Sequence, residues 1–263
     1  MDRVALQIVG GGKMGEALVA GLRRADAGAS IRVVETQVDR ADELRAAHPG
    51  VEVAGAPGAA DGTLLAVKPH LVGEVAAAVG AADGGRVLSI AAGVTIATLE
   101  AALPAGTPVV RAMPNTPALV GAGAAAIAAG SSAGDDDLAW AESVLGAVGT
   151  VVRVPEHLLD AVTGLSGSGP AYAFLVLDAL IEGGVAAGLP RDVAEPLAGQ
   201  TLLGAATLFL HGGASPGELR AAVTSPGGTT AEGLRVLEQR AVRAAIIDAV
   251  LAARDRSVAL GAE

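Results

Sequence analysis

The sequence predicts an α/β fold, with an N-terminal, mainly parallel sheet wrapped by helices and an all-helical second half. Three observations predict it. Short apolar runs alternate with helical patterns over residues 4–154, as strand–helix–strand units do. A glycine-rich turn joins the first apolar run to the first helical pattern. Beyond Glu156 no strand pattern recurs, and long Ala/Leu-rich segments follow, broken by Gly and Pro.

Residues 4–9 read as a buried strand. The stretch Leu6-Gln7-Ile8-Val9-Gly10-Gly11-Gly12-Lys13-Met14-Gly15 carries G-x-G-x-x-G at Gly10, Gly12 and Gly15, and Met14, Leu18 and Leu22 continue it at helical spacing. This is the strand–loop–helix context of a dinucleotide fingerprint. Gly10 permits the tight turn, Gly12 lets the backbone approach a pyrophosphate, and Gly15 lets the helix lie close to the strand. The pyrophosphate would rest on open N–H groups at the helix start, where the dipole favours an anion. In a chain with 37 glycines the motif alone also fits an ordinary turn. Glu35 tips the balance. It closes the next apolar run, Ile31-Arg32-Val33-Val34, twenty residues past Gly15, where the fingerprint places an acidic ribose reader. Residues 1–154 are therefore expected to form a Rossmann dinucleotide-binding domain.

The remaining elements follow in order. An amphipathic helix is expected over 38–48 and a short strand over 51–53. Residues 63–67 form a buried-type strand stopped at Lys68-Pro69. A helix over 71–79, a strand over 86–90, a helix over 95–103 and a strand over 109–112 come next, then strands over 122–128 and 149–154. In such sheets ligands bind beyond the carboxyl ends of the strands. That rule nominates Gly10 to Gly15, Ala66-Val67-Lys68-Pro69 and Ala91-Ala92-Gly93. Asp135-Asp136-Asp137 reads better as an acidic helix start than as a cation site.

Composition narrows the function. Apolar residues make up 51% of the chain and aromatics 2%, so the core is aliphatic. A formal charge of −10 argues against nucleic acid and anionic membrane surfaces. With no cysteine the chain has no disulfide, thiolate nucleophile or cysteine metal site, which fits the cytoplasm. The histidines lie far apart, and no metal is expected. The longest uncharged stretch, 112–134, is broken by prolines and glycines, so no membrane span is expected. Met1-Asp2-Arg3-Val4 runs straight into a strand, with no signal peptide visible.

The second half, 155–263, is expected to be helical over 156–165, 170–188, 191–210, 215–223 and 229 to about 257. So much Ala and Gly points to helices buried in a homo-oligomer. Between the last two helices stands Thr224-Ser225-Pro226-Gly227-Gly228-Thr229-Thr230. Thr229 is expected as N-cap, with Glu232 closing a capping box. The glycines, with hydroxyls from Ser225, Thr229 and Thr230, would form a cradle for a small carboxylate. A plain capped helix start is the competing reading. Gly164-Leu165-Ser166-Gly167-Ser168 lacks the final glycine of G-x-S-x-G and reads as a tight helix–helix turn.

Together these pieces resemble the pyrroline-5-carboxylate reductase family along nearly the whole chain. The carriers are the glycine loop, Ala66 to Pro69, Ser89-Ile90-Ala91-Ala92-Gly93-Val94-Thr95, Arg111-Ala112-Met113-Pro114-Asn115-Thr116-Pro117, Ser166-Gly167-Ser168-Gly169-Pro170-Ala171-Tyr172, and Ser225 to Thr230. The resemblance implies a Rossmann domain and a helical dimerisation domain, often in a ring of dimers. It implies reduction of a cyclic imino acid by NADPH or NADH. It places cofactor contacts at Gly10, Gly11, Gly12, Lys13 and Met14, at Glu35 and Thr36, and along Ala66, Val67, Lys68, Pro69, Ala91, Ala92 and Gly93. It rests the substrate carboxylate on Ser225, Gly227, Gly228, Thr229 and Thr230, with Thr230 near the ring nitrogen, and matches Glu156 to a substrate-site position. The family commonly has Asn where Lys13 stands and a small polar residue where Glu35 stands. Glu35 favours NADH, while Lys13 and Arg40 pull toward NADPH, so the sequence leaves that choice open. A β-hydroxyacid dehydrogenase is disfavoured, because the only lysines are Lys13 and Lys68 and none lies in the helical half. A dinucleotide-binding regulator without turnover is the remaining alternative.

Overall fold

The computed structural model describes residues 3–262. Its first part runs β1 (Val4–Val9), α1 (Lys13–Ala25), β2 (Ile31–Val34), α2 (Val38–Ala47), β3 (Glu52–Ala54) and β4 (Ala60–Leu65). It continues through α3 (Val72–Ala81), β5 (Arg86–Ser89), α4 (Ile96–Ala102), β6 (Val109–Met113), β7 (Gly123–Ala129), α5 (Asp135–Gly146) and β8 (Gly149–Arg153). The eight strands form one sheet in the order β3-β2-β1-β4-β5-β6-β7-β8. Every pairing is parallel except β6 with β7. The chain winds outward from β1 to β3 and then returns to β4 on the other side of β1. That reversal is the switch point at which open α/β sheets hold ligands.

The central strands are buried on both faces. Ile8 and Leu64 belong to one apolar cluster, with Leu18 of α1. Their chain neighbours Val9 and Leu65 belong to the other, with Leu99 of α4. Alternation of side chains along a strand sends adjacent residues to opposite faces, so helices cover both sides. The buried clusters are aliphatic throughout, as the composition requires. β4 starts three residues before the expected 63, because Val4 pairs with Ala60 across β1. It ends at Leu65, and the Ala66 N–H still donates to the Val9 carbonyl at 2.8 Å. Asp135-Asp136-Asp137 opens α5 as expected, and Asp137 Oδ2 accepts the Gly134 N–H at 2.9 Å. Among the described residues no acidic or histidine cluster could hold a metal.

The second half is helical: α6 (Leu159–Val162), α7 (Gly169–Ala186), α8 (Arg191–Gly212), α9 (Pro216–Ala222), α10 (Thr229–Gln239) and α11 (Val242–Ala262). Two expectations are corrected. Residues 164–168 are no turn between helices; Thr163–Gly167 is a π-helical segment leading straight into α7. The single helix expected from 229 is two, because Ala241 takes φ +55°. A left-handed alanine costs about 1–2 kcal/mol, and no Gly or Pro marks the break. Gly169–Leu251 forms one compact unit and the rest of the described chain another.

Within Gly169–Leu251 the buried apolar cluster is small: Ile181, Ala194 and Ala198, with Leu177 against it. Phe174, Leu175 and Leu210 are more than 60% exposed. No membrane span is expected from the sequence, yet the helical stretches Glu156–Ala186 and Arg191–Gly212 are long and apolar enough to cross a membrane by length and composition. A chain with this much uncovered apolar surface needs a partner for it.

Gly62 in β4 supplies a direct test of packing. A Cβ there would fall 2.4 Å from Cζ2 of Trp140, the sole tryptophan, whose ring carries the Arg86 guanidinium 4.8 Å from its centroid. Gly62→Ala is expected to destabilise the protein by about 1–3 kcal/mol through overpacking. Urea unfolding followed by tryptophan fluorescence measures it.

Candidate functional site

The glycine loop is built by close approach. Gly10 lies at φ +109°, and a Cβ on it would meet the Ala66 carbonyl at 2.4 Å. A Cβ on Gly15 would fall 2.1 Å from the Gly10 carbonyl oxygen, so α1 can lie this near β1 only with glycine there. Gly12 is different. Nothing lies within 4 Å of the position a Cβ would take, and the space before the helix is open. Gly12 is also the N-cap of α1, with no side chain capping it. A bare helix start facing open space suits a diphosphate, so these residues fit the dinucleotide that the motif implies.

Glu35, at the end of β2, ties the loop down. Its Oε2 accepts the Gly11 N–H at 3.1 Å and its Oε1 the Gln37 N–H at 2.9 Å. Arg40 braces the same loop from α2, donating Nε to the Gly11 carbonyl at 2.8 Å. Its other nitrogens pair with Glu43 and Glu16. The Arg40 guanidinium, helped by His48, holds the Glu16 carboxyl below the usual carboxylate range against some desolvation. Glu43 and Glu16 in turn raise the Arg40 pKa. Thr36 and Lys13 are exposed beside this network.

Two clefts open at the carboxyl ends of the parallel strands. One, of about 210 Å³, is lined by Met14, Ala66, Val67, Ala92, Met113 and Pro114. The other, of about 460 Å³, is lined by Pro69, Ala92, Gly93, Thr163, Ser168 and Arg256 among others. The fold thus brings Met14 of the glycine loop together with the segments around Ala66 and Ala92. Gly11 and Glu35 are tied together by the hydrogen bond in the loop, and Ala91 is buried and lines neither cleft. Lys68 is exposed at its edge. Sequence reasoning missed Met113 and Pro114. Met113 ends β6 and Pro114 follows it, and β6 is a parallel neighbour of β5, so the strand-end rule applied to them as well. Thr163, Ser168 and Arg256 carried no such signal.

The π segment has a definite partner. Asn115 donates Nδ2 to the Ser166 carbonyl at 3.0 Å and accepts the Ala124 N–H at Oδ1, 2.8 Å away. A π turn frees a carbonyl from the helical ladder, and Asn115 takes it up. A Cβ on Gly167 would meet Met113 Cε at 2.6 Å, so the glycine lets the segment lie against β6. Two stretches far apart in sequence, Met113 to Asn115 and Ser166 to Ser168, are in this way one structure.

Glu156 lies apart from both clefts. Its Oε1 accepts from Arg111 NH1 at 2.9 Å and from the Ile96 N–H at 2.7 Å. The carboxylate therefore joins β6 to the start of α4.

In the other compact unit, Ser225 to Thr230 precede α10. Thr229 is not the N-cap. Gly228 is, at φ −80° and ψ 171°, and no side chain caps the helix. Glu232 makes no capping box and instead accepts from Arg235 Nε at 2.9 Å. The reason is the turn: Gly227 takes φ +68°, and the Gly228 N–H closes on the Ser225 carbonyl at 3.0 Å, which puts Thr229 inside the first turn. The neighbouring α9, by contrast, is fully boxed by Ser215 and Glu218.

Replacing Asn115 by Ala leaves the Ser166 carbonyl and the Ala124 N–H without their partner. It is expected to cost about 1–3 kcal/mol of stability, read as a lowered thermal midpoint. An unchanged midpoint would show that water replaces the amide at no cost.

Comparison with known proteins gives the family. The family described as pyrroline-5-carboxylate reductase dimerisation matches residues 156–260, and the one described as NADP oxidoreductase coenzyme F420-dependent matches residues 5–93. A pyrroline-5-carboxylate reductase of Synechocystis is 46% identical, covering 98% of each chain. One from Mycobacterium tuberculosis is 44% identical, over 98% of this chain and 96% of its own. The solved pyrroline-5-carboxylate reductase of Coxiella burnetii superposes with a TM-score of 0.93 at 37% identity, covering 98% and 99% of the two chains. That of Plasmodium falciparum, solved with NADP bound, gives 0.84 at 28% identity over 98% of each. The chain belongs to the pyrroline-5-carboxylate reductase family.

Proposed function

We propose that this protein reduces the C=N bond of 1-pyrroline-5-carboxylate to L-proline, the last step of proline biosynthesis. The observation that carries the reading is likeness at 43–46% identity, over nearly the full chain, to reductases of that name. The glycine loop, Glu35, Thr36, Ala66 to Pro69 and Ala91 to Gly93 hold NADPH or NADH, which supplies the hydride when bound. The residues of the chain position and shield. Bare N–H groups at the start of α1 take the pyrophosphate. The segments lining the clefts exclude water from the reacting carbon.

Ser225, Gly227, Gly228 and Thr229 hold the substrate carboxylate at the uncapped start of α10, where the helix dipole favours an anion. The Thr230 hydroxyl orients the ring nitrogen. No general acid is needed, because a protonated cyclic imine already accepts hydride at carbon and the protein has only to hold it in place. Arg111 already answers the charge of Glu156, so in this reading Glu156 serves the substrate site by bracing β6 against the start of α4.

A second copy of the chain covers the apolar helical faces and supplies part of each pocket, and such dimers assemble into rings. The match to a dimerisation family over 156–260 supports the dimer. Covering those faces also accounts for α7 and α8 without a membrane. The working division into cofactor and dimerisation halves falls at Val154-Pro155, and the enzyme works in the cytoplasm.

The purified protein is expected to oxidise NADH or NADPH only when pyrroline-5-carboxylate is present. Thr230→Ala is expected to lower kcat/KM about tenfold or more, the worth of one hydrogen bond to a charged group. Cofactor binding without imine-dependent oxidation would overturn the reading in favour of a regulator.

A further inference from the structure

We propose that Glu35 makes this chain read its adenosine ribose as a 2′-hydroxyl and discriminate against a 2′-phosphate, so that NADH is the better cofactor. The inference rests on the dinucleotide site proposed above and names what selects its ligand. A carboxylate at the end of the second strand is placed to accept from a ribose hydroxyl. Glu35 is held in that position by two backbone N–H groups, one on each oxygen. Each oxygen keeps a further acceptor site. A phosphate brought there would meet a fixed like charge.

The sequence offered Arg40 as the counterweight, and the structure removes it. All three guanidinium nitrogens of Arg40 are engaged, with the Gly11 carbonyl, Glu43 and Glu16. Turning Arg40 toward a phosphate would unpair Glu16 and Glu43 and release the glycine loop. Around the end of β2, Glu16, Glu35 and Glu43 therefore face one committed arginine, with His48 on the far oxygen of Glu16. Thr36 and Gln37 add no charge. Lys13 is the remaining cation of the loop, at the first residue of α1, the end that takes the pyrophosphate.

Isothermal titration of the full-length protein with ADP-ribose and with its 2′-phosphorylated form tests this without turnover. The wild type is expected to bind ADP-ribose about tenfold tighter or more. Glu35→Gln, which keeps the length and removes the charge, is expected to bring the two within about twofold, whatever becomes of overall affinity. Equal or tighter binding of the phosphorylated form by the wild type overturns the inference, as does a preference that Glu35→Gln leaves intact. If Lys13→Ala selectively weakens the phosphorylated ligand in a wild type that prefers it, Lys13 is the selector instead. Imine-dependent oxidation of either cofactor tests the reaction separately, so the two readings fail on different measurements.

Discussion

The site depends first on one close approach, the start of α1 against the end of β1. A Cβ on Gly15 would sit 2.1 Å from the Gly10 carbonyl oxygen, and one on Gly10 would sit 2.4 Å from the Ala66 carbonyl. These two contacts fix how near the helix comes to the sheet and how near β4 comes to the loop. They aim the bare N–H groups of α1 along the switch point between β1 and β4. Glu35 and Arg40 then lock the loop from β2 and α2. Side chains larger than hydrogen at those positions would move the helix, and with it the anion site.

The two compact units share one feature. α1 and α10 both begin at a glycine N-cap with no side chain satisfying the first turn. Two other helices are closed by side chains: α4 by Thr95 and Glu156, α9 by Ser215 and Glu218, whereas α2, α3 and α8 also start without a side-chain cap. Donors left open at an exposed helix start are met by water or by a ligand that displaces it. In this account a pyrophosphate takes the first set and a substrate carboxylate the second. The remaining chemistry is orientation, which suits a chain with two lysines, no cysteine and no obvious acid.

Much of this was legible in the sequence. The glycine loop, Glu35 and the strand-end segments are set by short-range chemistry, and each stands within a few residues of where its spacing placed it. Three features were not legible. The π segment at Thr163–Gly167 answers to Asn115, some fifty residues away, and no local pattern encodes that partner. The break at Ala241 uses a left-handed alanine where propensity favours continuing the helix. The cap at Gly228 in place of Thr229 follows from the positive φ of Gly227, a choice a glycine pair permits without announcing. The apolar faces of α7 and α8 were visible as composition, but their exposure in the single chain appears only once the helices are placed.

The central claim is that catalysis here is positioning, with the carboxylate anchored at the start of α10. The most direct measurement compares kcat/KM for pyrroline-5-carboxylate with that for 1-pyrroline, the same cyclic imine without the carboxylate. Losing about two charge-assisted hydrogen bonds predicts a fall of about a hundredfold or more. Equal kcat/KM for the two imines would contradict the account, because the loop at Ser225 to Thr230 would then hold nothing that the reaction needs.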